Sequence, residues 1–84
     1  MFKFIKKRDN SVLPFEAKKI TNAILNAGKA TGEFDRSVAK KLTLHVLNLA
    51  QQAIQNEVPS VEEIQDIVEE VLLSSTFKKT AKGY

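Results

Sequence analysis

The sequence predicts an α+β chain, mostly helical, in which a small β-hairpin precedes a series of amphipathic helices. Three observations carry this reading. Two short apolar stretches, residues 2–5 and 12–15, flank the polar run Lys7-Arg8-Asp9-Asn10-Ser11, which is the layout of a hairpin. From Ala17 onward, apolar residues recur every three or four positions, the period of a helix buried along one face. Gly32, Asp35, Pro59 and Ser60 fall between the periodic segments, where helices stop and start.

The first strand alternates loosely from Phe2 to Lys7. In the turn after it, Asp9-Asn10 tolerates the positive φ of a tight connection. The second strand is short, Val12 to Leu13, because Pro14 cannot donate to a ladder. Two strands alone are marginal in water, so the hairpin must pack on helices. The first helix carries Ala17, Ile20, Ile24 and Ala27 on its stripe, widened by Ala23 and Leu25. Gly28 weakens its far end and Gly32 falls in the loop that follows. Asp35 is the expected N-cap of a second helix starting near Arg36. That helix has Val38, Leu42, Val46, Leu49 and Ala53 on one stripe, with Leu47, Ala50 and Ile54 beside it, and is expected to run to about Gln55.

Glu57-Val58-Pro59 ends the second helix, since the proline ring pushes Val58 towards an extended conformation. Ser60-Val61-Glu62-Glu63 then reads as a capping box, and a third helix follows with Ile64, Ile67, Val68, Val71 and Leu72 on its inner face. Residues 77–84 read as the opening of a fourth helix, truncated, and a segment of fewer than about 12 residues needs tertiary support to stay helical. On this reading residues 1–84 are one domain, the N-terminal piece of a longer protein.

Composition narrows the function. A hydrophobic fraction of 43%, with two prolines and three glycines in 84 residues, describes a folded chain with a modest core. No apolar run approaches the roughly 20 residues of a membrane helix, and Lys3, Lys6 and Lys7 interrupt any signal-peptide core. There is no cysteine, hence no disulfide, thiolate metal site or cysteine nucleophile, and a cytoplasmic location is expected. The net charge of +3 is unevenly spread: residues 1–20 hold six cations and two acids, while residues 57–76 hold six acids and no base. That polarity places an anionic partner at the basic N-terminal end and argues against binding a polyanion over the whole surface.

The candidate chemistry lies in the same region. Lys7 and Arg8 at a hairpin tip, with Lys18 and Lys19 in the first turns of a helix, approach one place from two directions. The helix N-terminus adds free N–H groups and partial positive charge, so a phosphate is the matching ligand. A glycine-rich phosphate loop of the G-x-x-x-x-G-K-[ST] type is absent. Spacing alone therefore leaves three readings open: nucleotide binding, nucleic-acid binding through the basic region, and a helical interaction domain without a ligand. Lys3 and Lys6 read as solvated edge residues. Glu62, Glu63, Asp66, Glu69 and Glu70 read as the wet face of a helix, with no metal site. His45, the only histidine, reads as a partly buried helix residue without a second metal ligand, and Tyr84 supports no assignment. No Ser-His-Asp set or other catalytic constellation is visible, so catalysis is not expected.

In order along the chain, three motifs resemble the ATP-cone domain of ribonucleotide reductases. The first is Ile5-Lys6-Lys7-Arg8-Asp9-Asn10 followed by Phe15-Glu16-Ala17-Lys18-Lys19-Ile20. The second runs from Val61 to Glu69, and the third is Thr80-Ala81-Lys82-Gly83-Tyr84. The wording of the second and third is most similar to the anaerobic, glycyl-radical class. The resemblance implies a small mixed sheet capping a four-helix bundle, with ATP or dATP, accompanied by Mg²⁺, bound between cap and helices. By position, Lys7 and Arg8 match the phosphate-binding pair and Lys19 a further phosphate-facing base. Ile5 and Ile20 match apolar residues around the nucleoside, and Ser60, Val61 and Gln65 fall near positions that line the site.

Three positions depart from the family pattern. Asn10 replaces the turn glycine, Glu16 the usual aspartate at the helix start, and Leu13 a glutamate that can accept from the adenine amino group. The implied function is allosteric: ATP leaves an attached reductase active, and dATP favours an inhibited, often self-associated state. The implied partners are the nucleotide and the catalytic body of the parent reductase, with no membrane. The alternative is a nucleic-acid-binding or transcription-regulatory module. The version of it that carries the cone behind a zinc ribbon needs cysteines that this chain lacks.

Overall fold

A computed structural model describes residues 2–84, with the order β1 (Phe4–Lys6), β2 (Val12–Pro14), α1 (Ala17–Thr31), α2 (Arg36–Ala53), α3 (Val61–Ser74) and α4 (Lys78–Gly83). The two strands are antiparallel, with Ile5 opposite Leu13 and Lys6 opposite Val12. Their turn closes through Asn10 N–H donating to the Lys7 carbonyl and Lys7 N–H donating to that of Ser11, each at 2.9 Å. Asn10 takes the left-handed φ of 70° that the Asp-Asn pair predicts. Asp9 Oδ1 accepts from the Ser11 hydroxyl at 2.6 Å and the Ser11 N–H at 2.9 Å, and these bonds hold its carboxyl below the usual range. The mixed character of the sheet rests on one contact. Lys6 N–H donates to the Pro59 carbonyl at 2.9 Å, forming a parallel bridge between Lys6 and Ser60. β1 is thereby tied to the residue that caps α3.

The helices form a closed circuit in which α1 packs on α2, α2 on α3, and α4 on both α3 and α1. Ile24, Leu25, Ala39, Val46, Ala50, Ile64, Val68 and Leu72 make the buried centre. The hairpin sits on this centre through Phe2, Ile5 and Phe15, with the Phe2 and Phe15 rings 5.6 Å apart. That seating supplies the support a two-stranded ribbon lacks by itself. No helix among the described residues is long and apolar enough to cross a membrane.

Several local details differ from expectation. β1 is shorter than the Phe2–Lys7 stretch, and β2 takes in Pro14, opposite Phe4, at the end of the ladder where a missing N–H costs least. α1 passes straight through Gly28 and ends at Thr31, with Gly32 as its left-handed C-cap at φ 73°. Gly28 is a packing residue, because the Phe34 ring occupies the place a Cβ would take. α2 ends at Ala53, two residues short of Gln55, since Ile54 is already extended. His45 is exposed rather than partly buried. The inward face of α2 is Ala39, Thr43, Val46, Leu47 and Ala50, and a helix turns His45 to the opposite side. The predicted caps form: Asp35 Oδ1 accepts from Val38 N–H, and Ser60 and Glu63 complete both bonds of the capping box, at 3.1 and 2.9 Å.

α4 has six residues, and tertiary contacts hold it. Glu33 Oε1, in the α1–α2 loop, accepts from Thr80 N–H at 2.6 Å and from the Thr80 hydroxyl at 2.7 Å. The Thr31 and Thr80 hydroxyl oxygens lie 2.8 Å apart, and Thr80 is 1% exposed. Phe34 of the same loop meets Phe77 edge-on, with ring centres 4.8 Å apart. The Thr80-Ala81 pair of the third motif is therefore an anchor: Thr80 pins the helix to the loop and Ala81 rests on the core.

Candidate functional site

The hairpin meets the bundle beside the start of α3 and leaves a cleft of about 270 Å³ between them. Ile5 and Leu13, paired across the ladder, point to the same face of the ribbon and form its roof, with Lys7 just beyond the end of β1. Lys19, Ile20 and Ala23 line it from α1. Val61, Ile64, Gln65 and Val68 line it from α3, at the three- and four-residue spacing of a single helix face. Tyr84, at the end of α4, completes the wall. Two adjoining depressions share Lys7 and Val61 with the cleft. The one of about 190 Å³ adds Lys6, Arg8, Asn10, Ser60 and Glu62, and the more open one, which shares Gln65 as well, adds Arg8 and Asp9.

Six predicted site residues, Ile5, Lys7, Lys19, Ile20, Val61 and Gln65, thus share one cleft. Arg8 and Ser60 stand next door, in the depression beyond Lys7. Lys3 and Lys18 do not line the cleft, and Lys6 belongs only to the neighbouring depression. Ala23, Ile64, Val68 and Tyr84 also form the wall without having been assigned to the site from sequence, and Leu13, which the resemblance puts where the family has a base-contacting glutamate, lines it too. The one sequence signal for Tyr84 was its place at the end of the third motif, one turn beyond Thr80.

The charges are arranged at the surface. Arg8 Nε lies 3.2 Å from Glu62 Oε1, and Lys19 Nζ lies 3.3 Å from Glu16 Oε2. Both pairs are well exposed and therefore weak, so a phosphate can displace either carboxylate at little cost. Glu16 precedes α1 in an extended conformation and makes no side-chain cap bond, which leaves the first N–H groups of that helix without a protein side-chain partner at this position. Among the described residues no Asp or Glu side chain lines the cleft; Gln65 and Tyr84 are the neutral polar side chains among aliphatic ones. Partial burial pushes the Tyr84 hydroxyl up, and the Glu69 carboxylate adds to this. Among the described residues no group of three or more acids or histidines is placed to hold a metal ion. An apolar slot with ammonium groups at its edge suits a ligand with a flat, weakly polar body and an anionic tail.

A family model described as the ATP cone domain matches residues 3–84. The chain is 42% identical to the vitamin B12-dependent ribonucleoside-diphosphate reductase of Thermoplasma acidophilum, in an alignment that covers all of this chain and 11% of that protein. It is 34% identical to the anaerobic ribonucleoside-triphosphate reductases of Salmonella typhimurium and Escherichia coli, across 95% of this chain and 11% of each. The likeness extends to two kinds of reductase, and the chain spans about 11% of the length of these relatives. With the three motifs in place and the family match running over residues 3–84, the chain belongs to the ATP-cone domain family.

Proposed function

We propose that the cleft binds a nucleoside triphosphate, ATP or dATP, and that residues 1–84 act as one regulatory domain reporting the bound effector to the catalytic body of a ribonucleotide reductase. The observation that carries this is the convergence of Lys7, from the hairpin turn, and Lys19, from α1, on a slot whose walls include Ile5, Leu13, Ile20, Ile64 and Val68. Membership of the ATP-cone family supports a nucleotide-binding regulatory role. A volume of about 270 Å³ suits a base and sugar better than a whole triphosphate, set against the roughly 300–1,000 Å³ of typical ligand sites. Arg8 and Ser60 in the adjoining depression are the residues that would extend the phosphate contacts, with Val61 and Gln65 at the boundary. Mg²⁺ would arrive on the phosphates.

The domain senses and does not transform its ligand. Ribonucleotide reduction runs on cysteine radical chemistry, and these residues contain no cysteine. Regulation requires that ATP and dATP stabilise different conformations or assemblies of the parent protein, ATP the active one and dATP an inhibited, self-associated one. A cytoplasmic location follows from this role. The acidic face of α3, with Glu62 directly on Arg8, tells against a nucleic-acid partner at the same place. Titration of the 84-residue chain with ATP and dATP by calorimetry, with Mg²⁺ present, is expected to show saturable binding that Lys7→Ala with Lys19→Ala removes. Absence of heat from both nucleotides at millimolar concentration, in a folded sample, would sink the reading.

A further inference from the structure

Tyr84 lies at the far end of the chain from the hairpin, yet its side chain shares a wall with Ile5, Leu13 and Ile20. Among the described residues it is the only aromatic one in the lining of the cleft. Its position depends on α4, a helix too short to persist alone. The helix is held at its first turn by the bonds from Thr80 to Glu33 Oε1 at 2.6 and 2.7 Å, on the side of the molecule that carries the α1–α2 loop. Tyr84 N–H then donates to the Thr80 carbonyl at 2.9 Å, so the clasped residue and the cleft residue are one helical turn apart.

Resting on the nucleotide reading above, we infer that Tyr84 is the base-stacking residue of the cleft, and that the Thr80–Glu33 clasp is the device that positions it. The chemistry of the wall favours this. Aliphatic side chains offer a base little beyond burial, whereas an aromatic face also stacks on its π-surface. The ring is held by one turn of backbone rather than by a long loop, so little ordering is needed when a ligand arrives. The clasp also gives the bound base a mechanical link to α4: whatever displaces that helix removes one wall of the site, and a bound base resists the displacement.

The test is a set of calorimetric titrations of the 84-residue chain with ATP. Tyr84→Ala is expected to weaken ATP by roughly 5- to 150-fold, the range for losing one base–aromatic stack, while Tyr84→Phe stays within about threefold of the native chain. Thr80→Val, which touches nothing in the cleft, is expected to weaken ATP as well and to leave the affinity for inorganic triphosphate unchanged. Circular dichroism checks that each variant is folded. Unchanged ATP affinity in Tyr84→Ala, or tighter binding, would overturn the stacking role. Unchanged affinity in folded Thr80→Val would overturn the positioning role. A native chain that binds no ATP overturns the nucleotide reading itself, and with it this inference.

Discussion

Arg8 shows how a single residue can belong to a site and still be occupied. Its guanidinium is paired with Glu62 at 3.2 Å in the ligand-free chain, so a phosphate at the hairpin tip must compete with a carboxylate from the first turn of α3. Exposed pairs of this kind contribute about 0.2–1 kcal/mol. Glu62→Gln is therefore expected to tighten ATP by roughly 1.5- to 5-fold, because the competitor loses its charge while the amide keeps its size. Weaker binding in that variant would mean that Glu62 positions Arg8 for the ligand and does not hold it back. Residue identity made the cations legible in sequence, but not their partners. Glu62 lies 54 positions from Arg8, and nothing local indicates that the hairpin tip reaches the start of α3. Gly28 carries the same lesson in the core: its place in the sequence looks like a helix weakening, and only the Phe34 ring lying over it gives the reason.

Among the elements, the presence of α1, α2 and α3 was legible because their apolar periods are local and, for α2 and α3, so are their caps: Asp35 and Ser60 each lie within three residues of the N–H they satisfy, although the buried face of α2 centres on Ala39, Thr43, Val46 and Ala50 rather than on the stripe through Val38 and Ala53. α4 was legible only as an opening turn, because what holds it is Glu33, 47 residues away. The apolar wall of the cleft escaped notice for a similar reason. Ile64 and Val68 read as ordinary core positions until the hairpin is known to land beside them. The clasp on α4 has a consequence for acid stability. Partial burial works to raise the Glu33 carboxyl, but the Thr80 hydroxyl and N–H, together with the Lys79 N–H and its charge, hold it below the usual carboxylate range. A depressed folded value means that the contribution is complete above the ordinary value of about 4.5 and fades as pH falls through the lower folded one. Glu33→Gln is thus expected to melt below the native chain at pH 7, with the gap closing as the pH is lowered from about 4.5 towards 2. A gap that stayed constant across that range would show that the carboxylate charge plays no part in holding α4.

At the scale of the whole molecule, the chain is an assembly of pieces that do not persist separately: a hairpin too small to stand alone, a six-residue helix, and three helices that share one core. The cleft lies where most of these pieces meet, with walls from β1, β2, α1, α3 and α4. A ligand seated there is bound by the folded arrangement and not by any one segment, so it stabilises the fold by mass action. At a hundred times the dissociation constant that stabilisation is about 2.7 kcal/mol. A chain of this size shifts by roughly 4–8 °C per kcal/mol, so the melting temperature is expected to rise by roughly 10–20 °C. Salt should reduce the shift, since the charged groups at the edge of the cleft are exposed to solvent. Lys7→Ala combined with Lys19→Ala is expected to melt near the native chain without ligand and to gain almost nothing from ATP. Differential scanning calorimetry of the two chains, with and without ATP, separates the cases. A double variant that gains as much as the native chain would place the nucleotide away from this cleft, whatever its affinity.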